Sequence, residues 1–182
     1  MRVFIEVHGL LELEQAGKWD DAKKLLYNLW HSDKKNVDKL CRLLSECWYV
    51  LSEWECCVKN GEASFQEFKG SLLEATLFGL TYFKCHPKFL WVAGYMIHLF
   101  PYLFCENDQD DFYVKWEQRG RNMLLHSTQI MPENLIARVL YLGTQKESAQ
   151  YIAEKKQLSS QVNDFFSGQT AIEKYFKEVL SV

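Results

Sequence analysis

Apolar residues recur at three- and four-residue intervals along nearly all of this 182-residue chain, a period that only an α-helix gathers into a continuous face. Trp19, Ala22, Leu25, Leu26, Leu29 and Trp30 form one such stripe. Val37, Leu40, Cys41, Leu44, Trp48, Leu51, Trp54 and Val58 form a longer one, and Phe65, Phe68, Leu72, Ala75, Gly79 and Tyr82 a third. The alternation that builds a half-buried strand is nearly absent. With 3 prolines and 9 glycines, the chain has few residues that interrupt helices. It is expected to be all-α, with about nine helices near residues 3–15, 19–31, 36–60, 64–85, 87–103, 109–127, 132–146, 148–157 and 171–180.

Helix starts are marked locally. Ser64 with Glu67, and Thr170 with Glu173, have the spacing at which each side chain satisfies an otherwise unbonded amide of the first turn. Pro87 and Pro132 suit first-turn positions, where the amide that proline lacks is not needed. Gly17 and Gly61 fall in tight turns between paired helices. Such short connections make successive helices antiparallel neighbours, so the hairpins are expected to stack into a compact, helical-repeat-like bundle. Residues 1–182 read as a single helical domain, with "QLSSQVNDFFSGQ", residues 157–169, as a loop before a docked C-terminal helix.

Charge and apolar content exclude several function classes. A net charge of −3 without a basic stripe argues against direct nucleic-acid binding. The longest apolar run, residues 89–104, falls short of the ~20 residues that span a bilayer. It also carries His98 and Pro101, so it reads as a buried helix and no membrane association is expected. Glu6, Glu12 and Glu14 break up the start of the chain, which therefore lacks the apolar core of an export signal. The 6 cysteines are accordingly expected as reduced thiols in a cytoplasmic protein.

The chemistry expected of the chain is limited. It has no phosphate-binding glycine loop, no nucleophile elbow and no H-E-x-x-H zinc motif, so no catalytic residue is assigned and the protein is not expected to be an enzyme. Cys56 with Cys57 and Cys85 with His86 are adjacent pairs, and adjacent residues on a helix point about 100° apart, which does not suit a shared zinc ion. No metal and no cofactor are expected. The strongest local field is "CENDQDDFY", residues 105–113, where Glu106, Asp108, Asp110 and Asp111 crowd together. One acid suffices to cap the following helix. Four also attract a cationic surface and speed its arrival, and Tyr113 and Trp116 beyond them are the aromatic anchors that charge alone lacks. These six residues are the expected partner-binding site.

Two resemblances add to this reading. "QAGKWDDAKKLL" resembles the turn and second helix of a tetratricopeptide-type hairpin, with Gly17 at the turn, Trp19, acidic Asp20 and Asp21, and small Ala22 where the helices approach. The whole-chain character, the acidic cluster and segments such as "LWVAGYMIHLFPYLF" are similar to helical immunity proteins of bacterial polymorphic-toxin systems, including those of contact-dependent growth inhibition. That resemblance implies an antitoxin that binds one cognate toxin domain and covers its active site or RNA-binding face. The expected toxin is a basic nuclease, within that class an EndoU-type ribonuclease, with the carboxylates standing where RNA phosphates would bind. Two alternatives stay open. One is a helical-repeat adaptor holding a peptide or protein partner in a groove. The other is a small-molecule enzyme with a buried aromatic pocket walled by Trp91, Tyr95 and Tyr102. Thiol titration of the denatured, unreduced protein should find all 6 cysteines free; a count near zero would overturn the compartment expected here.

Overall fold

The computed structural model describes residues 2–58, 63–105, 110–145 and 148–181, with Asp110 and Asp111 described by backbone alone. Gly61 of the expected second turn lies outside the described residues. The described elements are α1 (Leu10–Gln15), α2 (Trp19–His31), α3 (Val37–Ser52), α4 (Trp54–Cys57) and α5 (Phe65–Tyr82). They continue with α6 (Pro87–Leu99), a 3-10 turn (Pro101–Phe104), α7 (Asp110–Ile130), α8 (Leu135–Gly143), α9 (Ala149–Phe165) and α10 (Ala171–Leu180). The fold is an all-α bundle of helical hairpins, and no described helix is long and apolar enough to cross a membrane.

The bundle is organised around α3. Its apolar stripe reaches past one face, because α2, α5, α6 and α10 all pack on it, and a helix covered on several sides must be buried on several sides. Leu40, Cys41, Leu43, Leu44, Cys47, Trp48 and Val50 are wholly inaccessible to solvent. Asn36 starts this helix by accepting the amides of Asp38 and Lys39 at 3.0 and 3.2 Å. From α6 onward the packing is serial, each helix lying against the next as far as α10, which returns to α3.

The closest approach in this series is between α6 and α7. A Cβ placed on Gly120 would lie 2.5 Å from the His98 amide nitrogen and 2.6 Å from the Gly94 carbonyl oxygen, and one on Gly94 would lie 2.9 Å from the Gly120 carbonyl oxygen. The two glycines therefore let the backbones touch and fix the rotation of α7 about its axis.

Several local expectations hold in the structure. Pro87 opens α6, Ser64 accepts the Glu67 amide at 3.4 Å, and the Glu173 carboxylate takes the Thr170 amide at 3.4 Å at the head of α10. Gly17 turns the chain between α1 and α2 at φ +69°.

Other expectations are corrected. Residues 3–9 are not helical: Gly9, at φ +81°, admits the chain to α1 only at Leu10, and the β-branched Val3, Ile5 and Val7 disfavour an earlier start. The Val3 amide instead donates to the Phe165 carbonyl at 2.9 Å. The helix expected over 36–60 breaks at Glu53, whose φ of −113° and ψ of 29° leave the helical region. Pro132 precedes α8 without starting it, since Asn134 caps the Ala137 amide at 3.1 Å. The loop expected over 157–169 is helical through Phe165, because Leu158 and Val162 are buried one turn apart and bind α9 to the core.

Gly120→Ala should destabilise the fold by about 1–3 kcal/mol or more, since two backbones must separate. Gly70 in α5 has open space around its Cα, so Gly70→Ala should stabilise by roughly 0.5–1 kcal/mol. Urea melts of the two variants check both signs, and equal effects would mean that the α6/α7 contact is not as close as described.

Candidate functional site

Of the six residues expected to bind a partner, Glu106 and Asp108 lie outside the described residues, and Asp110 and Asp111 form the first turn of α7. The rotation of α7 sets the direction of the residues after this turn. Its inward side carries Gly120, Met123, Leu124 and Ser127, all buried. Tyr113 and Trp116 precede Gly120 by two turns and one turn, so they share this side and are half-buried. The Trp116 ring packs against Phe104 at 6.0 Å between centroids, and the Arg119 guanidinium covers its other side at 4.7 Å. Phe112 and Val114 point outward instead, 40% and 65% exposed. Exposed apolar groups thus succeed the acidic start of the helix, offset from the two aromatic anchors expected from the sequence.

Further along, α7 faces the C-terminal end of α5 across an open groove of about 700 Å³. Leu80, Leu90, Val114 and Met123 give it an apolar lining. Lys84, Lys115 and Arg119, three cations, surround these together with His126, and no described carboxylate lines the groove. The sequence hides this grouping, because it takes its cations from two elements and lies in a chain of net negative charge. Spacing along α7 alone, at 115, 119, 122 and 126, could have shown half of it.

The aromatic pocket is replaced by core packing. Trp91 meets Phe176 edge-on at 5.7 Å, and the Tyr95 and Tyr175 hydroxyls hydrogen-bond at 2.6 Å. Burial pushes the Tyr95 hydroxyl well above the usual phenol range. Tyr102, in the 3-10 turn, is 45% exposed. Cys41 and Cys57 are both pushed up to about 12 by burial, so these thiols stay protonated and poorly nucleophilic at neutral pH. Among the described residues, no three His, Cys, Asp or Glu side chains are grouped as metal ligands would be.

The deepest electrostatic feature lies elsewhere. Arg42 of α3 is buried and donates to Glu14 at 2.9 Å and to Glu46 at 3.1 Å. The second oxygen of Glu14 accepts the Ala171 amide at 2.6 Å, at the first residue of α10. Burial pushes the Glu46 carboxyl up to about 8, with the Arg42 charge opposing and the Glu14 charge adding to the shift. One guanidinium thus stands between two carboxyl groups, and burial favours the protonated form of Glu46, whose Oε2 accepts from Arg42. Sealed among α1, α3 and α10, this network ties elements together and is not placed to meet a substrate.

Fold and surface together define an all-α protein whose most differentiated exposed feature is α7, acidic at its start and cationic along one side of its body. Comparison of the chain with protein-family models, with curated proteins and with solved structures finds no match in any of the three.

The Glu46 carboxyl yields a pH prediction. Between about 4.5 and 8 the native state holds a proton that the unfolded chain has lost, so this group's contribution to stability falls as pH rises. Glu46→Gln should remove that slope while keeping an acceptor for Arg42. Urea unfolding from pH 5 to 9 measures it, and an unchanged slope in the variant would mean that Glu46 titrates normally.

Proposed function

We propose that the protein acts by binding a partner protein, as an immunity protein that neutralises a cognate toxin domain through the start of α7. The observation carrying this reading is the exposure of Phe112 and Val114 directly after the acidic residues that open the helix. A helix start needs one acid to complement its dipole, whereas Glu106, Asp108, Asp110 and Asp111 supply four. Their combined field speeds the approach of a basic surface, and the apolar residues that follow hold it after contact. A nuclease domain, whose substrate-binding face is cationic because it binds phosphates, is the partner that fits this order of charge and apolar surface. The EndoU-type ribonucleases fall in that class. Inhibition then proceeds by occupying the face that RNA needs, without chemistry by this chain.

The test replaces Glu106, Asp108, Asp110 and Asp111 by the corresponding amides and measures association with a candidate toxin domain, a basic nuclease, by stopped flow. Association should slow about tenfold or more at low salt and converge with wild type at high salt. Thermal melts should differ by about 1 kcal/mol at most, the value of one cap. Phe112→Ala with Val114→Ala should instead raise the dissociation rate. Equal association rates at low salt would remove the acidic segment from the interface.

A further inference from the structure

The groove between α5 and α7 has a chemistry opposite to that of the acidic segment, and it carries an inference that does not rest on the immunity reading. Lys84, Lys115, Arg119 and His126 face the same space, and none of them is in an ion pair with a described carboxylate. Lys84, Lys115 and Arg119 thus place three positive charges in a groove that no described carboxylate lines, in a chain of net charge −3.

Beneath them the lining is apolar. Leu90 and Met123 form the floor, 3% and 7% exposed, and Leu80 and Val114 stand on the two walls. On the α5 side, Leu77 lies one turn before Leu80 and is 54% exposed, which extends the apolar wall along the helix. The cationic stripe of α7, residues 115–126, runs for about 16 Å at 1.5 Å per residue. An apolar floor beside a cationic stripe of this length is the pattern that the apolar face and acidic flanks of an amphipathic helix complement, as when such helices dock in grooves.

We propose that this groove is a docking site for an acidic amphipathic helix of a partner protein. Its apolar stripe packs on Leu80, Leu90, Val114 and Met123, and its flanking Glu or Asp side chains meet Lys84, Lys115 and Arg119. A single-stranded nucleic acid fits less well, because the exposed aromatic rings of Tyr82 and Phe112 do not line the groove and its apolar walls would face a phosphate backbone.

The probe is a fluorescein-labelled, helix-forming peptide of about 18 residues, with leucines at i, i+3, i+4 and i+7 and glutamates flanking them. A peptide with lysine in place of every glutamate, a glutamate peptide lacking the leucines, and oligouridylate serve as comparisons. The acidic amphipathic peptide should bind saturably, shifting the backbone amide resonances of residues 80–84 and 114–126, and the three comparisons should bind much more weakly. Lys115→Glu with Arg119→Glu should weaken binding about tenfold or more, whereas Lys156→Glu, a charge reversal on exposed α9 surface, should leave it within about twofold. Thermal melts establish that the double variant is folded, and Lys84→Glu replaces it if it is not. Failure of the acidic peptide to saturate, equal affinity for the lysine peptide, or unchanged affinity after charge reversal in the groove would overturn the proposal. Tighter binding of oligouridylate would overturn it too and assign the groove to nucleic acid.

Discussion

The guanidinium of Arg42 is a buried cation on which three separate parts of the chain converge. It holds Glu14 of α1 and Glu46 of its own helix, and through Glu14 it reaches the first amide of α10, while Phe4 lies beneath it at 5.8 Å. A buried ion pair contributes little net stability against an apolar replacement, because desolvation offsets most of the attraction. Breaking one, however, leaves an unpaired charge in the interior and is far more costly. The network thus acts mainly by excluding alternatives: any packing that separates α1 from α3 strands a charge, and one that removes α10 takes a backbone donor from Glu14. The same condition explains why burial raises the Glu46 carboxyl despite its guanidinium partner, since a single guanidinium balances a single carboxylate.

The surface of α7 is governed by a different constraint, the glycine contact with α6. Because Gly94 and Gly120 allow only one rotation of α7, the sides on which its remaining residues lie are settled together. Trp116 and Tyr113 turn toward the bundle, Phe112 and Val114 turn out, and Lys115, Arg119 and His126 line up over the floor supplied by α6. A packing feature in the interior therefore sets both surfaces to which binding is assigned, and a shift of one residue in the phase of α7 would exchange them.

How far the sequence revealed this depended on whether the deciding interaction was local. The helical stripes, the Ser64 cap, the Glu173 carboxylate at the head of α10 and Pro87 at the head of α6 depend on residues a turn apart, and they are where the pattern put them. The end of α9 was obscured by Ser159, Ser160, Gln161 and Asn163, polar residues that suggest a loop until Leu158 and Val162 are seen to be buried. Arg42 and Glu46, four apart, look like an ordinary surface pair, and only the covering by α1 and α10 makes them interior. Of the candidate site, the charge of the acidic segment was legible. The exposed Phe112 and Val114 and the cationic groove were not, because both depend on the rotation of α7 and on residues distant in the chain.

The segment ahead of α1 has a consequence for how the chain is made. Val3 bonds to the end of α9, Arg2 donates to the Asn163 carbonyl at 2.8 Å, and Phe4 packs against both Phe166 and Phe176, which stack on each other. Residues synthesised early thus have their resting place among residues that leave the ribosome much later. During synthesis α2, α3 and α5 can gather with Phe4 and Arg42 still uncovered, and the nascent chain presents that face to solvent and to chaperones until α10 emerges. The seam between residues 2–4 and the last two helices can close only once those helices have been made, and a bulky group attached at Arg2 would sit in that seam.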